Sequence, residues 1–377
     1  MCEAERALCS AMLLTDRRAI GTAFELHGCP NACRHCYLGR PAGPALPLDE
    51  VRRVVAEFRQ YVRPGEPEPA FPHIRVATWI WEPDYADDYR QLYNLERELS
   101  DGDPPRFELL SVWRLARDPA YAEWAKSVGP DTCQVTLFGT QATNDWFYRR
   151  RGAFQDCVTA TECLLEVGMK PRWQLFFTRR ILPELDDLRR LVDRLSLRER
   201  VQALGGEFDL FLHLPGPDGE ARKIEHLRPT AEEVGGIPAE LLTASRKHFG
   251  RDVLWRTEAE LIGEIEERED PSPCGLGPVD QFWFLVRNNL DVYTNLGLME
   301  PGWKLGSLAT DSVDSVVETL ESKHPLGYRL AHSLSAGDLA SRFGDPESTR
   351  LYTDAGDLES LWLARLVAET SGGSELA

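Results

Sequence analysis

The chain has 377 residues, of which 42% are hydrophobic and 28% charged, and carries a formal net charge of −18. That mix describes a globular protein with one large core, or one large and one small, and excludes a disordered chain. The acidic balance also argues against a nucleic-acid partner, which demands a concentrated basic face, and suits a cationic or polar small molecule.

No apolar run approaches the roughly 20 residues that cross a bilayer, and the opening MCEAERALCS carries acids where a signal peptide has a basic region. The expectation is a cytoplasmic protein without membrane contact. Nine cysteines are too few for a secreted disulfide scaffold of this size, and clustered thiols in a reducing compartment bind metal or do chemistry.

From residue 19 to about 250 short apolar runs alternate with amphipathic stretches. Six strands are expected: AIGTAFEL (19–26), HIRVATWIW (73–81), RFELLSV (106–112), TCQVTLFG (132–139), RWQLFFT (172–178) and FDLFLHL (208–214). They are nearly continuous apolar runs, as buried parallel strands are. Helical faces fall between them, with Leu48, Val51, Val55, Phe58 and Val62 on one and Leu185, Leu188, Val192 and Leu195 on another. The pattern implies an α/β fold, a partial (β/α)6 TIM-like barrel over residues 1–250, whose chemistry belongs in the loops at the C-terminal strand ends.

A charged connector is expected over 251–273, ending in Pro-Ser-Pro. Residues 274–377 then form a small α+β extension. It begins with a hairpin in QFWFLVRNNLDVYTNLG (281–297), turning at Asn288, Asn289 and Asp291, and continues with helices near 311–322 and 356–369.

The loop after the first strand, HGCPNACRHCYLGR, places Cys29, Cys33 and Cys36 at spacings of four and three. A structural zinc site wants four ligands, commonly as paired C-x2-C halves, and no second pair follows. His35 lies between two of the cysteines, where side chains diverge. Three thiolates suit an iron–sulfur cube with one iron left open to an added ligand. Cys133 falls in a strand and Cys157 and Cys163 in a helix, where small buried hydrophobes are usual.

This C-x3-C-x2-C loop resembles the signature of the radical S-adenosylmethionine superfamily. The resemblance implies a [4Fe-4S] cluster on Cys29, Cys33 and Cys36 and S-adenosylmethionine on the open iron. It further implies that Glu82, in TWIWEPDY, receives the cofactor amine, although Ile80 and Trp81 replace the usual glycines. Arg151, in NDWFYRRRGAF, would pair with the carboxylate, with Arg149 and Arg150 competing for that role. His35 would lie near the adenine, and HLPGPDGEAR (213–222) resembles a turn with adenine contacts. The tail resembles a degenerate SPASM-type module in which Cys274 stands alone, so no auxiliary cluster is expected and the module covers the barrel mouth.

The activity so implied is reductive cleavage of S-adenosylmethionine and hydrogen abstraction, driven by a donor such as flavodoxin or ferredoxin. Trp79, Trp81, Tyr85, Trp113 and Phe138 fall near strand ends, which suits a walled pocket. With the acidic charge they favour an aminosugar-type specialised metabolite, as in antibiotic biosynthesis. The alternative is a maturase of a ribosomally made peptide, against which stand the fewer than thirty residues before Cys29 and the missing auxiliary clusters. A zinc-stabilised binding protein is the non-enzymatic reading.

Overall fold

The computed structural model describes residues 19–25, 29–38, 44–78, 89–100, 110–268, 270–274, 282–294 and 299–371. Its strands in chain order are β1 (Ala19–Phe24), β2 (His73–Ala77), β3 (Thr132–Leu137), β4 (Lys170–Phe176), β5 (Leu210–His213), β6 (Arg256–Thr257), β7 (Phe282–Val286), β8 (Asp291–Thr294), β9 (Lys304–Ser307) and β10 (Leu351–Tyr352). The fold is mixed α/β, with the barrel strands parallel. Five of the six expected barrel strands are present. Most of the remaining one, residues 106–109, lies outside the described residues, and its end at Ser111 caps a short helix, Val112–Leu115.

Among the described residues the strands fall into three sheets: a short antiparallel pair, β6 with β10, and two larger sheets with separate cores. In one, β3, β4 and β5 run parallel, and their outward residues Val135, Leu137, Trp173, Leu175 and Leu212 join one hydrophobic cluster with the flanking helices. The β3 pattern alternates strictly, with Cys133, Val135 and Leu137 buried and Gln134 and Thr136 on the other face. At the free edge of β5 the Leu212 N–H donates to Ser245 Oγ at 2.9 Å, which closes the sheet with a helix, Ala239–Phe249.

The other sheet has the order β2-β1-β7-β8-β9. Here β1 pairs in parallel with β2 on one side and with β7 on the other, so a strand more than 250 residues downstream lies against the first. The helix Leu48–Gln60 covers this sheet with Val51, Val54, Val55 and Phe58, and carries Asp49 and Glu50 in its first turn, where the helix dipole favours acids. The helices Val313–Glu321 and Ala355–Thr370 contribute to the same cluster. The expected hairpin is thus a continuation of the β1 sheet edge.

The expected connector is more ordered than its charge implies. Glu258–Arg268 is a helix, because Leu261, Ile262 and Ile265 form a stripe that buries in the core of the β1 sheet while Glu260, Glu266 and Glu267 face out. Among the described residues no helix is long and apolar enough to cross a membrane.

Candidate functional site

The cysteine loop leaves β1 and settles against the end of a helix, Gln141–Tyr148. Cys36 N–H donates to Cys33 O at 3.2 Å, which turns the loop on itself; Ala32 N–H reaches Tyr148 O at 3.2 Å and Arg34 N–H reaches Phe147 O at 2.9 Å. The last carbonyls of a helix have no partner within it, and here the loop supplies the donors. The helix stops because Arg149 takes a left-handed conformation, φ 51°, and the chain turns again at Gly152, φ 83°. Asp145 fixes that turn by accepting from Gly152 N–H at 2.7 Å and Phe154 N–H at 2.9 Å.

Side chains reinforce the contact. Arg150 Nε donates to Asn31 Oδ1 at 2.7 Å, and the same guanidinium pairs with Asp156. Arg34 Nε donates to Trp146 O at 3.1 Å while its guanidinium lies 4.1 Å from the Trp146 ring centre. From the loop after β5, Glu220 N–H donates to Cys36 O at 3.0 Å. Gly219, φ 53°, approaches so closely that a Cβ would sit 2.3 Å from Tyr37 O, so this position admits only glycine. Arg149 closes the clasp by pairing with Glu220 at 3.0 Å.

The two ends of the loop segment are held by the β7–β8 turn. Arg287 pairs with the fully buried Glu25 at 2.6 Å, and Asn288 Nδ2 donates to Pro44 O at 2.9 Å. Burial outweighs the arginine and holds the Glu25 carboxyl above its ordinary range.

His35 packs at the C-terminal ends of the strands, its ring 4.5 Å from Phe138 and 4.4 Å from Phe176. His213, at the end of β5, stands 5.4 Å from Phe176 on the same side. Burial, with the neighbouring His213, pushes the His35 imidazole down to about 3, and burial likewise takes His213 down to about 4, so both rings are neutral at pH 7. Among the described residues, Nδ1 of His35 and Nη2 of Arg150 are buried without a hydrogen-bond partner. Two orphaned donors or acceptors beside one loop are what a polar ligand would satisfy.

The residues singled out from sequence fare differently. Cys29, Cys33 and Cys36 share the half-buried loop, although among the described residues no three His, Cys, Asp or Glu side chains stand close enough to hold a metal ion as they are placed. Arg151 is exposed, and Arg149 and Arg150 are the members of that run tied to the site. Glu82, Trp79, Trp81 and Tyr85 lie outside the described residues. Phe138 is buried in the ring cluster beside His35, whereas Trp113 stacks with Arg117 at 4.9 Å. Burial pushes the Cys274 thiol up to about 12.

Glu25, Asn31 and Arg287 did not stand out individually in the sequence, and His213 did so only as the first residue of HLPGPDGEAR. Each of Glu25, Arg287 and His213 is a polar residue ending or following an apolar strand, at the barrel face where chemistry collects, and that was the available signal.

As a donor set, three soft thiols on one turn fit an iron–sulfur cluster and do not fit a hard cation. The two orphaned nitrogens fit a polar cofactor beside it.

No protein-family model matches the chain, and no curated protein matches its sequence. Solved structures do match. A hexahistidine-tagged form of anSMEcpe with bound AdoMet aligns over 95% of this chain and 96% of its own, at 12% identity and a TM-score of 0.51. Native anSMEcpe with bound AdoMet and Cp18Cys peptide aligns over 94% and 99%, at 12% identity and a TM-score of 0.50. SuiB of Streptococcus suis, bound to precursor peptide SuiA, gives 0.44 at 12% identity, over 88% and 75%, below what identifies a common fold. The chain shares the fold of anSMEcpe along nearly its whole length.

Proposed function

We propose that the protein is a radical S-adenosylmethionine enzyme whose [4Fe-4S] cluster is held by Cys29, Cys33 and Cys36. One observation carries the reading: a C-x3-C-x2-C loop at the C-terminal end of β1, in a fold that holds AdoMet in anSMEcpe. When bound, the cluster supplies the electron that splits S-adenosylmethionine into methionine and a 5'-deoxyadenosyl radical, which takes hydrogen from substrate.

The chain's own residues bind, orient and exclude water. Ala32, Arg34 and Cys36 fix the loop through their backbones, so the three thiolates are presented in a set order. Neutral His35, backed by Phe138 and Phe176, offers an unpartnered ring nitrogen to a polar cofactor edge and an apolar wall to its ring. Glu82 remains the residue assigned to the cofactor amine by resemblance. For the carboxylate, the buried orphan nitrogen of Arg150 makes it a better fit than exposed Arg151.

For the substrate we favour a peptide over the aminosugar suggested by charge, since anSMEcpe carries a peptide in this fold. The acidic surface suits a basic peptide equally well. The test is anaerobic reconstitution followed by assay of 5'-deoxyadenosine with dithionite, comparing basic peptides with aminosugars. Peptide-dependent product supports the reading, and aminosugar-dependent product returns the substrate to the first expectation. Cys33→Ala should lose both the iron and all product; full cleavage in that variant, or stoichiometric zinc without sulfide in the wild type, would overturn the assignment.

A further inference from the structure

The loop after β5 clasps the cysteine segment on one side and is gripped by the C-terminal extension on the other. Toward the cysteines, Glu220 N–H donates to Cys36 O and Gly219 lies against Tyr37 O. Toward the extension, Arg222 Nη1 donates to Glu300 Oε1 at 2.6 Å while its Nε donates to Pro217 O at 3.1 Å, so one guanidinium joins the loop's own backbone to the extension. Asp218 accepts from Ser360 Oγ at 3.0 Å, and Arg228 spans Pro215 O and Leu351 O, each at 3.0 Å. Glu300 is itself fixed on the helix Ala355–Thr370, because the chain after it passes so near that a Cβ on Gly302 would meet Val367 at 2.6 Å.

The Arg222 and Arg228 side chains are both buried. A buried ion pair adds little stability over an apolar pair of the same size, because desolvation offsets its attraction; what it adds is a single arrangement of the two segments it joins. That arrangement bears on the site. Asp218, Gly219 and Glu220 are consecutive, so the residue held by Ser360 lies two positions from the residue that holds Cys36. His213, which leads into the same loop, belongs with Phe176 to the ring cluster around His35, the neighbour of Cys36. A shift of the loop therefore moves the last of the three thiols and the apolar wall beside it together.

We infer that residues 215–222 are a strap through which the C-terminal extension sets the position of Cys36 and His35, and that Arg222 is its positioning residue. The inference deepens the proposed function and rests on it for the identity of the cofactor. The strap acts on cofactor binding through Cys36 and His35, whereas the seating of the cysteine loop through Ala32 and Arg34 is made by another helix and stands without it. Loss of the strap therefore loosens the grip on S-adenosylmethionine and leaves the cluster in place, since small misplacements of a binding group are costly even when its neighbours stay put.

Hydrogen exchange on the protein as purified reads the strap directly. Arg222→Met should quicken exchange at the Glu220 and Cys36 amides on the order of tenfold and leave Ala32 and Arg34 near wild type. That variant also orphans the Glu300 charge, so it is paired with a second. Arg222→Met combined with Glu300→Gln removes both charges and should return the urea midpoint to near wild type while the fast exchange persists. Val316→Ala, a cavity on the helix Val313–Glu321, which makes none of these contacts, should lower the midpoint and leave exchange at Glu220 and Cys36 unchanged. After reconstitution the double variant should keep its iron, and with dithionite its KM for S-adenosylmethionine should rise on the order of tenfold with kcat little changed. Arg222→Lys, which retains a charge for Glu300, should recover part of that loss. Failure of the wild type to cleave with dithionite counts against the proposed function alone, and the exchange rates still decide the strap. Wild-type exchange at Glu220 and Cys36 in the double variant, or equal quickening in Val316→Ala, overturns the strap, and a wild-type KM in a double variant that exchanges fast overturns its hold on the cofactor.

Discussion

The β2-β1-β7 sheet grips the cysteine segment at its ends, through Glu25 and Pro44, whereas the β3-β4-β5 half holds its middle, through Ala32, Arg34 and Cys36. The middle is held mostly by backbone groups: carbonyls at a helix end and one N–H after β5. Such contacts tolerate many side chains, provided Arg149, Gly152 and Gly219 can take their left-handed conformations. The ends depend on two consecutive side chains, Arg287 and Asn288, from a strand distant in sequence. The loop is therefore robust on one side and dependent on single residues on the other, and substitutions in the two halves should separate these behaviours.

The largest effect is expected at Arg287. Arg287→Ala leaves Glu25 buried without its counter-charge, and breaking a buried pair in this way costs about 3 to 5 kcal/mol. The urea midpoint should fall accordingly, and the reconstituted protein should shed iron on gel filtration. Glu25→Gln combined with Arg287→Met should regain most of the midpoint, because the cost lies in the orphaned charge. Arg150→Ala, which breaks the anchor in the other half, should be milder, since Asp156 keeps Arg117 and the backbone contacts at Ala32 and Arg34 remain. If Arg150→Ala releases iron faster than Arg287→Ala, the division between ends and middle is wrong.

A second difference is in pH response. In the first half, Glu96 accepts from Thr78 N–H and Thr78 Oγ, both at 2.7 Å, and so holds the end of β2. Burial pushes its carboxyl up to about 7. Below the ordinary carboxylate value the group is protonated in both folded and unfolded chains, and its contribution is fully present. As pH rises, the unfolded chain ionises first, and the contribution is lost by the time pH passes about 7, a change on the order of 3 kcal/mol. Glu96→Gln should thus be nearly neutral at pH 5 and stabilising at pH 8.5. Hydrogen exchange at Thr78 should quicken with pH beyond the intrinsic rate in wild type and not in the variant, while β3–β5 amides show no such excess. A wild-type stability that is flat from pH 5 to 8.5 would contradict the burial of Glu96.

The two halves also differ in how far the sequence revealed them. Strands β3, β4 and β5 follow one another with helices between, so local period and length sufficed, and the cysteine loop was legible because three thiols at that spacing are chemically unusual. The β1 sheet was only half legible. FWFLV read as a strand of a separate extension, and nothing local to it says that its partner is AIGTAF. The Glu258–Arg268 helix was masked by its own acids for the same reason, because its stripe matters only once a distant core is there to receive it. Charge suggested a small cationic substrate, yet composition sets only the mean field and says nothing of local groupings such as Arg34 and Arg180 over the Trp146 ring.

The smallest predicted effect tests that unread pairing directly. Gly21 of β1 lies opposite Trp283 of β7, and a Cβ built on it would meet the indole at 2.2 to 2.6 Å. Real contacts do not come that close, so Gly21→Ala must displace the ring or part the strands, an overpacking cost of about 1 to 3 kcal/mol. In an isolated strand the same change would help, since alanine loses less backbone freedom than glycine, by roughly 0.5 to 1 kcal/mol. The sign of the effect therefore reports whether β7 is in place. In a Trp283→Ala background the space is open, and Gly21→Ala should become neutral or stabilising, giving a coupling between the two sites that only contact produces. Additive effects of the two substitutions on the urea midpoint would mean that β7 does not pack on β1 in solution, and the grip of Arg287 and Asn288 on the cysteine segment would go with it.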